Sequence, residues 1–109
     1  MRKKLASACL FLLAMAAPLH AQPRYDLIPE NCGQETSDSS LRLTKNSFEF
    51  YESSCLVTEH NIVSQSTSDL TLDCSGEGES WTLKLRVEVT KRGLRVTDDA
   101  GTYDYMSCN

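Results

Sequence analysis

The longest unbroken alternation in the chain runs from Trp81 to Thr90, where Trp81, Leu83, Leu85, Val87 and Val89 interleave with Thr82, Lys84, Arg86, Glu88 and Thr90. Successive side chains of a strand point to opposite faces, so this segment predicts a strand with one face in a core and one in water. Leu41 and Leu43 alternate with Arg42 and Thr44, Lys45-Asn46 offers a turn, and Phe48 and Phe50 alternate with Ser47, Glu49 and Tyr51. That pattern predicts a hairpin. Leu56-Val57 and Ile62-Val63 flank Thr58-Glu59-His60-Asn61 and predict a third, less regular strand before a polar turn from Ser64 to Ser68. Leu70 and Leu72 then lead into Cys74. After the Trp81 strand, Lys91-Arg92-Gly93 supplies a turn, Leu94 and Val96 a strand, Asp98 to Gly101 another turn, and Thr102 to Cys108 the last strand. About seven short strands at close spacing predict an all-β, antiparallel meander, closed as a barrel or folded as a small sandwich. Residues 22–40 hold Pro23, Pro29, Gly33 and the polar run Gln34 to Ser40, and read as an irregular N-terminal arm before a β domain over 41–109.

The first residues follow another pattern. Arg2, Lys3 and Lys4 precede an apolar stretch from Leu5 to Ala17, Pro18 breaks it, and Leu19-His20-Ala21 ends on a small residue. This predicts a secretory signal peptide over 1–21 and a periplasmic or secreted mature chain. The apolar stretch falls short of the roughly 20 residues a membrane span needs, and no later segment is long or apolar enough, so the mature chain carries no transmembrane anchor. Cys9 is followed by Leu10 to Leu13 inside the apolar stretch, whereas a lipid-bearing cysteine follows its hydrophobic region. Removing 21 of the 109 residues leaves 88, and takes away three of 11 cationic side chains and none of the 15 carboxylates, so the net charge moves from −4 to −7. So acidic a domain repels nucleic acid and anionic membrane surfaces and permits a basic partner.

Export also frames the cysteines. Cys32, Cys55, Cys74 and Cys108 are an even set in a short exported chain and predict two disulfides. Four cysteines allow three pairings. If Cys32 lies along the first hairpin it reaches Cys55, leaving Cys74 for Cys108 in the last strand, and we favour Cys32–Cys55 with Cys74–Cys108. The spacing lacks the paired ligands of a zinc site, and His60 is the single histidine after the leader, so no metal or other cofactor is expected.

Three segments carry a resemblance. Phe50-Tyr51-Glu52-Ser53-Ser54-Cys55, Cys74-Ser75-Gly76-Glu77-Gly78-Glu79-Ser80-Trp81 and Tyr105-Met106-Ser107-Cys108 resemble a set of small, uncharacterised exported proteins of alphaproteobacteria. In that set a YEs-x-C segment, a C-x-GEGe-x-W segment and a terminal Y-x-x-C recur. The resemblance covers residues 32 to 108 and implies an exported β domain; it brings no activity with it.

The candidate chemistry is sparse. Glu77 and Glu79, with Glu52 as a third member, could do acid–base work or hold a hard cation, and equally suit a solvated hairpin loop. Gly76 and Gly78 do not make a phosphate cradle, since no lysine accompanies them. Asp98-Asp99-Ala100-Gly101 has the residues of a type I turn and lacks the ligand spacing of a calcium loop. His60 has no nucleophile elbow or cysteine partner, so catalysis is not expected. Tyr103 and Tyr105, on one face by alternation, join Tyr51 and Trp81 as an aromatic binding face or pack into the core. The expected function is a non-catalytic exported binding or envelope-associated module, with Glu77, Glu79, Tyr103 and Tyr105 against an unidentified protein partner. The alternative is an inhibitor of a cell-wall hydrolase such as lysozyme. One family of such inhibitors carries a Ser-Gly-x-x-Tyr loop, from which Ser75-Gly76-Glu77-Gly78-Glu79 departs at the tyrosine. A small hydrolytic enzyme is the third reading.

Overall fold

The computed structural model describes residues 23–108, so the signal peptide expected over 1–21 lies outside the described residues. Eight strands follow one another: β1 (Arg24–Asp26), β2 (Ser40–Leu43), β3 (Ser47–Phe50), β4 (Ser54–Ile62), β5 (Thr67–Gly76), β6 (Glu79–Val89), β7 (Gly93–Asp98) and β8 (Gly101–Ser107). Each pairs antiparallel with the next, and β1 pairs with β8, so the meander closes as an up-and-down barrel. Eight strands enclose a space just wide enough for side chains to fill. Leu41, Phe48, Leu72, Leu85, Val87, Leu94, Val96 and Tyr105 fill it, together with both half-cystines of β4 and β5. The alternation read from the sequence is therefore the inside and outside of one wall. The less regular third strand is β4, whose register shifts between Val57 and Glu59.

Two expectations need correction. The arm over 22–40 is not wholly irregular: it contributes β1 and a 3₁₀ turn over Pro29–Asn31. Three residues are too few to show an alternation, and β1 is a strand because β2 and β8 hydrogen-bond it from either side. Tyr25, opposite Leu41, packs against the core, and its neighbour Asp26 turns to the outer surface, where the loop from Leu27 to Ser39 covers it. The Asp26 carboxylate accepts hydrogen bonds from Ser37 Oγ at 2.6 Å, Ser39 Oγ at 2.5 Å and the Ile28 N–H at 2.9 Å. Burial works against its charge, yet the three donors outweigh burial and hold the carboxyl below its ordinary pKa.

The disulfides are Cys32–Cys108 and Cys55–Cys74, not the favoured pairing. Cys55 and Cys74 stand directly opposite in the β4–β5 register with Cα atoms 3.9 Å apart, so they take each other inside the barrel. Closure brings the end of β8 to the start of β1, where the Cys108 N–H bonds Arg24 O at 2.9 Å. The loop after β1 then folds back along the wall and delivers Cys32 to Cys108, with Cα atoms 5.3 Å apart.

Strand reversal sorts the connections. Those after β1, β3, β5 and β7 gather at one end of the barrel, and those after β2, β4 and β6 at the other. The strands are also staggered. β6 pairs with β5 along its whole length but with β7 only from Arg86, opposite Thr97, onward. The β5–β6 hairpin therefore stands beyond the β7–β8 turn at the first end.

Candidate binding site at the acidic end of the barrel

The first end is ringed by carboxylates: Asp38 before β2, Glu52 after β3, Glu77 and Glu79 at the β5–β6 turn, and Asp98 and Asp99 at the β7–β8 turn. No Lys or Arg lies in the four connections there. The other end is the reverse, since Lys45, Lys91 and Arg92 occupy its turns without a carboxylate among them. The remaining charges lie along the wall, where Arg86 grips Asp69 through Nε and Nη2 at 2.7 and 3.0 Å and Arg95 Nε meets Asp104 at 2.9 Å.

Local structure holds the acidic rim in place. The β5–β6 turn has two residues, Glu77 at φ 51° and Gly78 at φ 82°. Both central residues of the tightest hairpin turn need positive φ, which glycine adopts freely and glutamate does not. At Gly76 a Cβ would run into the backbone of Glu52 and Ser53, so the absence of a side chain lets this hairpin lie against the β3–β4 turn. That contact sets Glu52 beside Glu77 and Glu79. Asp98 is fixed differently, its Oδ1 accepting the N–H groups of Ala100 at 2.8 Å and Gly101 at 3.1 Å.

Inside the ring the surface is aromatic. Trp81, 39% exposed, shares an open depression with Tyr51, Phe50, Glu52, Glu77 and Glu79. Phe50 also borders a second depression of about 270 Å³, lined by Leu27, Leu83, Val96, Asp98, Tyr103 and Tyr105. The sequence candidates thus converge on one end without forming one cluster. Glu77 and Glu79 belong to the first depression and Tyr103 to the second, with Phe50 between them. Tyr105 is floor rather than exposed face: it is 9% exposed, and burial, with Tyr103, Asp98 and Asp26 adding negative charge, pushes its phenol up to about 12.

Sequence reasoning missed Phe50, Leu83, Asp38 and the place of Asp98 in this site. The signal that finds them is connection parity, because in an up-and-down meander every second turn lies at the same end. His60 is elsewhere, on β4 toward the basic end, with Nε2 3.1 Å from Ser68 Oγ. Among the described residues, no group of three or more His, Cys, Asp or Glu is placed to hold a metal ion. Nor is any helix among them long and apolar enough to cross a membrane. The two disulfides fit folding in an oxidising compartment outside the cytoplasm. Comparison with family models, curated proteins and solved structures finds no match.

Proposed function

We propose that the protein is a non-catalytic binding module, exported to the periplasm or beyond, that holds a cationic protein partner against the acidic, aromatic end of its barrel. The observation that carries this reading is the segregation of charge: the four connections at this end hold carboxylates and no Lys or Arg, with Arg42 of β2 beside Tyr51 and Glu52 on the outer wall, and exposed Trp81, Tyr51 and Tyr103 lie among them. Aromatic anchors inside a charged rim give a partner apolar burial at the centre and steering at the edge. The strain at Glu77 supports it, since a glutamate at positive φ costs about 1 kcal/mol that glycine would avoid. A second reading, that the partner is a cell-wall hydrolase such as lysozyme and is inhibited, draws on the β5–β6 hairpin, whose acidic tip stands clear of the β7–β8 turn.

The test uses the protein exported with its own leader, purified oxidised and immobilised, with lysozyme as the cationic probe. Retention at low salt, release at high salt, and a roughly tenfold loss of affinity in the Glu52→Gln, Glu77→Gln, Glu79→Gln variant are expected. Equal retention by wild type and variant, or none by either, removes this reading. A cell-wall clearing assay on the same samples separates inhibition from binding alone.

A further inference from the structure

The acidic end offers backbone as well as charge. The β5–β6 ladder runs without a break from Thr67 opposite Glu88 to Gly76 opposite Glu79 and closes on a two-residue turn. In such a ladder alternate residues bond the neighbour on one side, so Glu79, Trp81, Leu83 and Leu85 bond β5, while Ser80, Thr82, Lys84 and Arg86 turn N–H and C=O outward. The Thr90 N–H, bonded to Gly93 O at 2.9 Å, carries the same phase into the β6–β7 turn. β7 takes up Arg86 and Glu88, opposite Thr97 and Arg95. Ser80, Thr82 and Lys84 face no strand among the described residues. This free edge borders the aromatic depressions, with Trp81 and Leu83 turned into them.

We propose that an extended, cationic segment of the partner adds to β6 as a further strand along Ser80–Lys84, between Glu79 at one end and Asp98 of the β7–β8 turn at the other. The proposal rests on the reading of the acidic end and names how the partner is held. Main-chain bonds to Ser80, Thr82 and Lys84 supply affinity, and alternate side chains supply selection. Those facing the barrel mouth meet Trp81, Leu83 and Tyr103, which suits apolar groups. At either end of the segment they meet Glu79 and Asp98, which suits Lys or Arg. On the outer face Lys84 repels a basic neighbour, so small polar residues belong there. The matching pattern is basic, polar, apolar, polar, apolar, polar, basic.

The probe is a capped Lys-Thr-Leu-Thr-Leu-Thr-Lys peptide, compared with its analogue N-methylated at the threonines, which keeps charge and shape but cannot pair along the edge. Amide exchange of the labelled exported protein is the readout. The peptide is expected to slow exchange at Ser80, Thr82 and Lys84 at least about tenfold, and the analogue to bind at least about tenfold more weakly. Thr82→Pro removes an edge N–H that the β5 ladder does not use, so it should fold, retain its disulfides and lose the peptide, whereas Thr82→Val should keep it. If peptide and analogue bind alike with the three amides unprotected, strand addition is overturned while the acidic-end reading stands. If neither binds and lysozyme is not retained, both fall together. Protection that rises with protein concentration in the absence of peptide makes the occupant a second copy, and overturns the proposal.

Discussion

Asp26 holds the loop that the barrel needs in order to be locked. Ser37 Oγ, Ser39 Oγ and the Ile28 N–H all donate to its carboxylate, and Asp26→Ala leaves the two hydroxyls, 3.2 Å apart, only each other while buried Ser37 loses its carboxylate acceptor. A loss of about 2 kcal/mol in denaturant unfolding of the oxidised protein is expected. The pH dependence has a definite sign. A carboxyl whose native pKa lies below an unfolded value of about 3.9 adds stability that is fully present above that value and is lost as pH falls through the native one. Asp26→Asn should therefore flatten the acid limb of the stability curve, and a limb unchanged from wild type would count against the assignment. Glu77 is the opposite case, a residue at odds with its backbone. Glu77→Gly should raise stability by about 1 kcal/mol while weakening capture of a cationic probe, separating strain from charge at one position.

Among the elements, the sequence was clearest where apolar and polar positions alternate strictly, whatever the length of the strand. β2, β3, β6, β7 and β8 were legible from Leu41-Leu43, Phe48-Phe50 and the Trp81 run onward, because each has one wet and one dry face. β1 was not. Arg24-Tyr25-Asp26 gains its identity from two neighbours distant in sequence, and with it went the evidence for closure and for the Cys32–Cys108 bridge. The pairing has an energetic consequence that the favoured alternative lacks. The bridges span 19 and 76 positions, so chain-entropy arguments assign about 3 kcal/mol to Cys55–Cys74 and about 4.5 to Cys32–Cys108. Replacing Cys32 and Cys108 with serine should therefore destabilise more than replacing Cys55 and Cys74. The reverse order would show that the buried bridge contributes chiefly through packing. Non-reducing digestion, with Cys32 and Cys108 in one linked fragment, checks the pairing directly.

For the molecule as a whole, the site was legible only in part, since the residues of its rim come from four separate connections. Glu77 and Glu79 stood out as a local cluster, whereas Asp38 and Asp98 joined them only once strand reversal had sorted the turns. The same sorting leaves Lys45, Lys91 and Arg92 at the far end of the barrel. Opposite charge at opposite ends gives the barrel an electric dipole along its axis, and in its field an approaching cationic partner is turned toward the acidic end before any contact forms. The consequence is kinetic. Association of a cationic probe, followed by stopped flow, should slow steeply as salt rises through about 0.1 M, where the screening length is about 10 Å, while dissociation changes less.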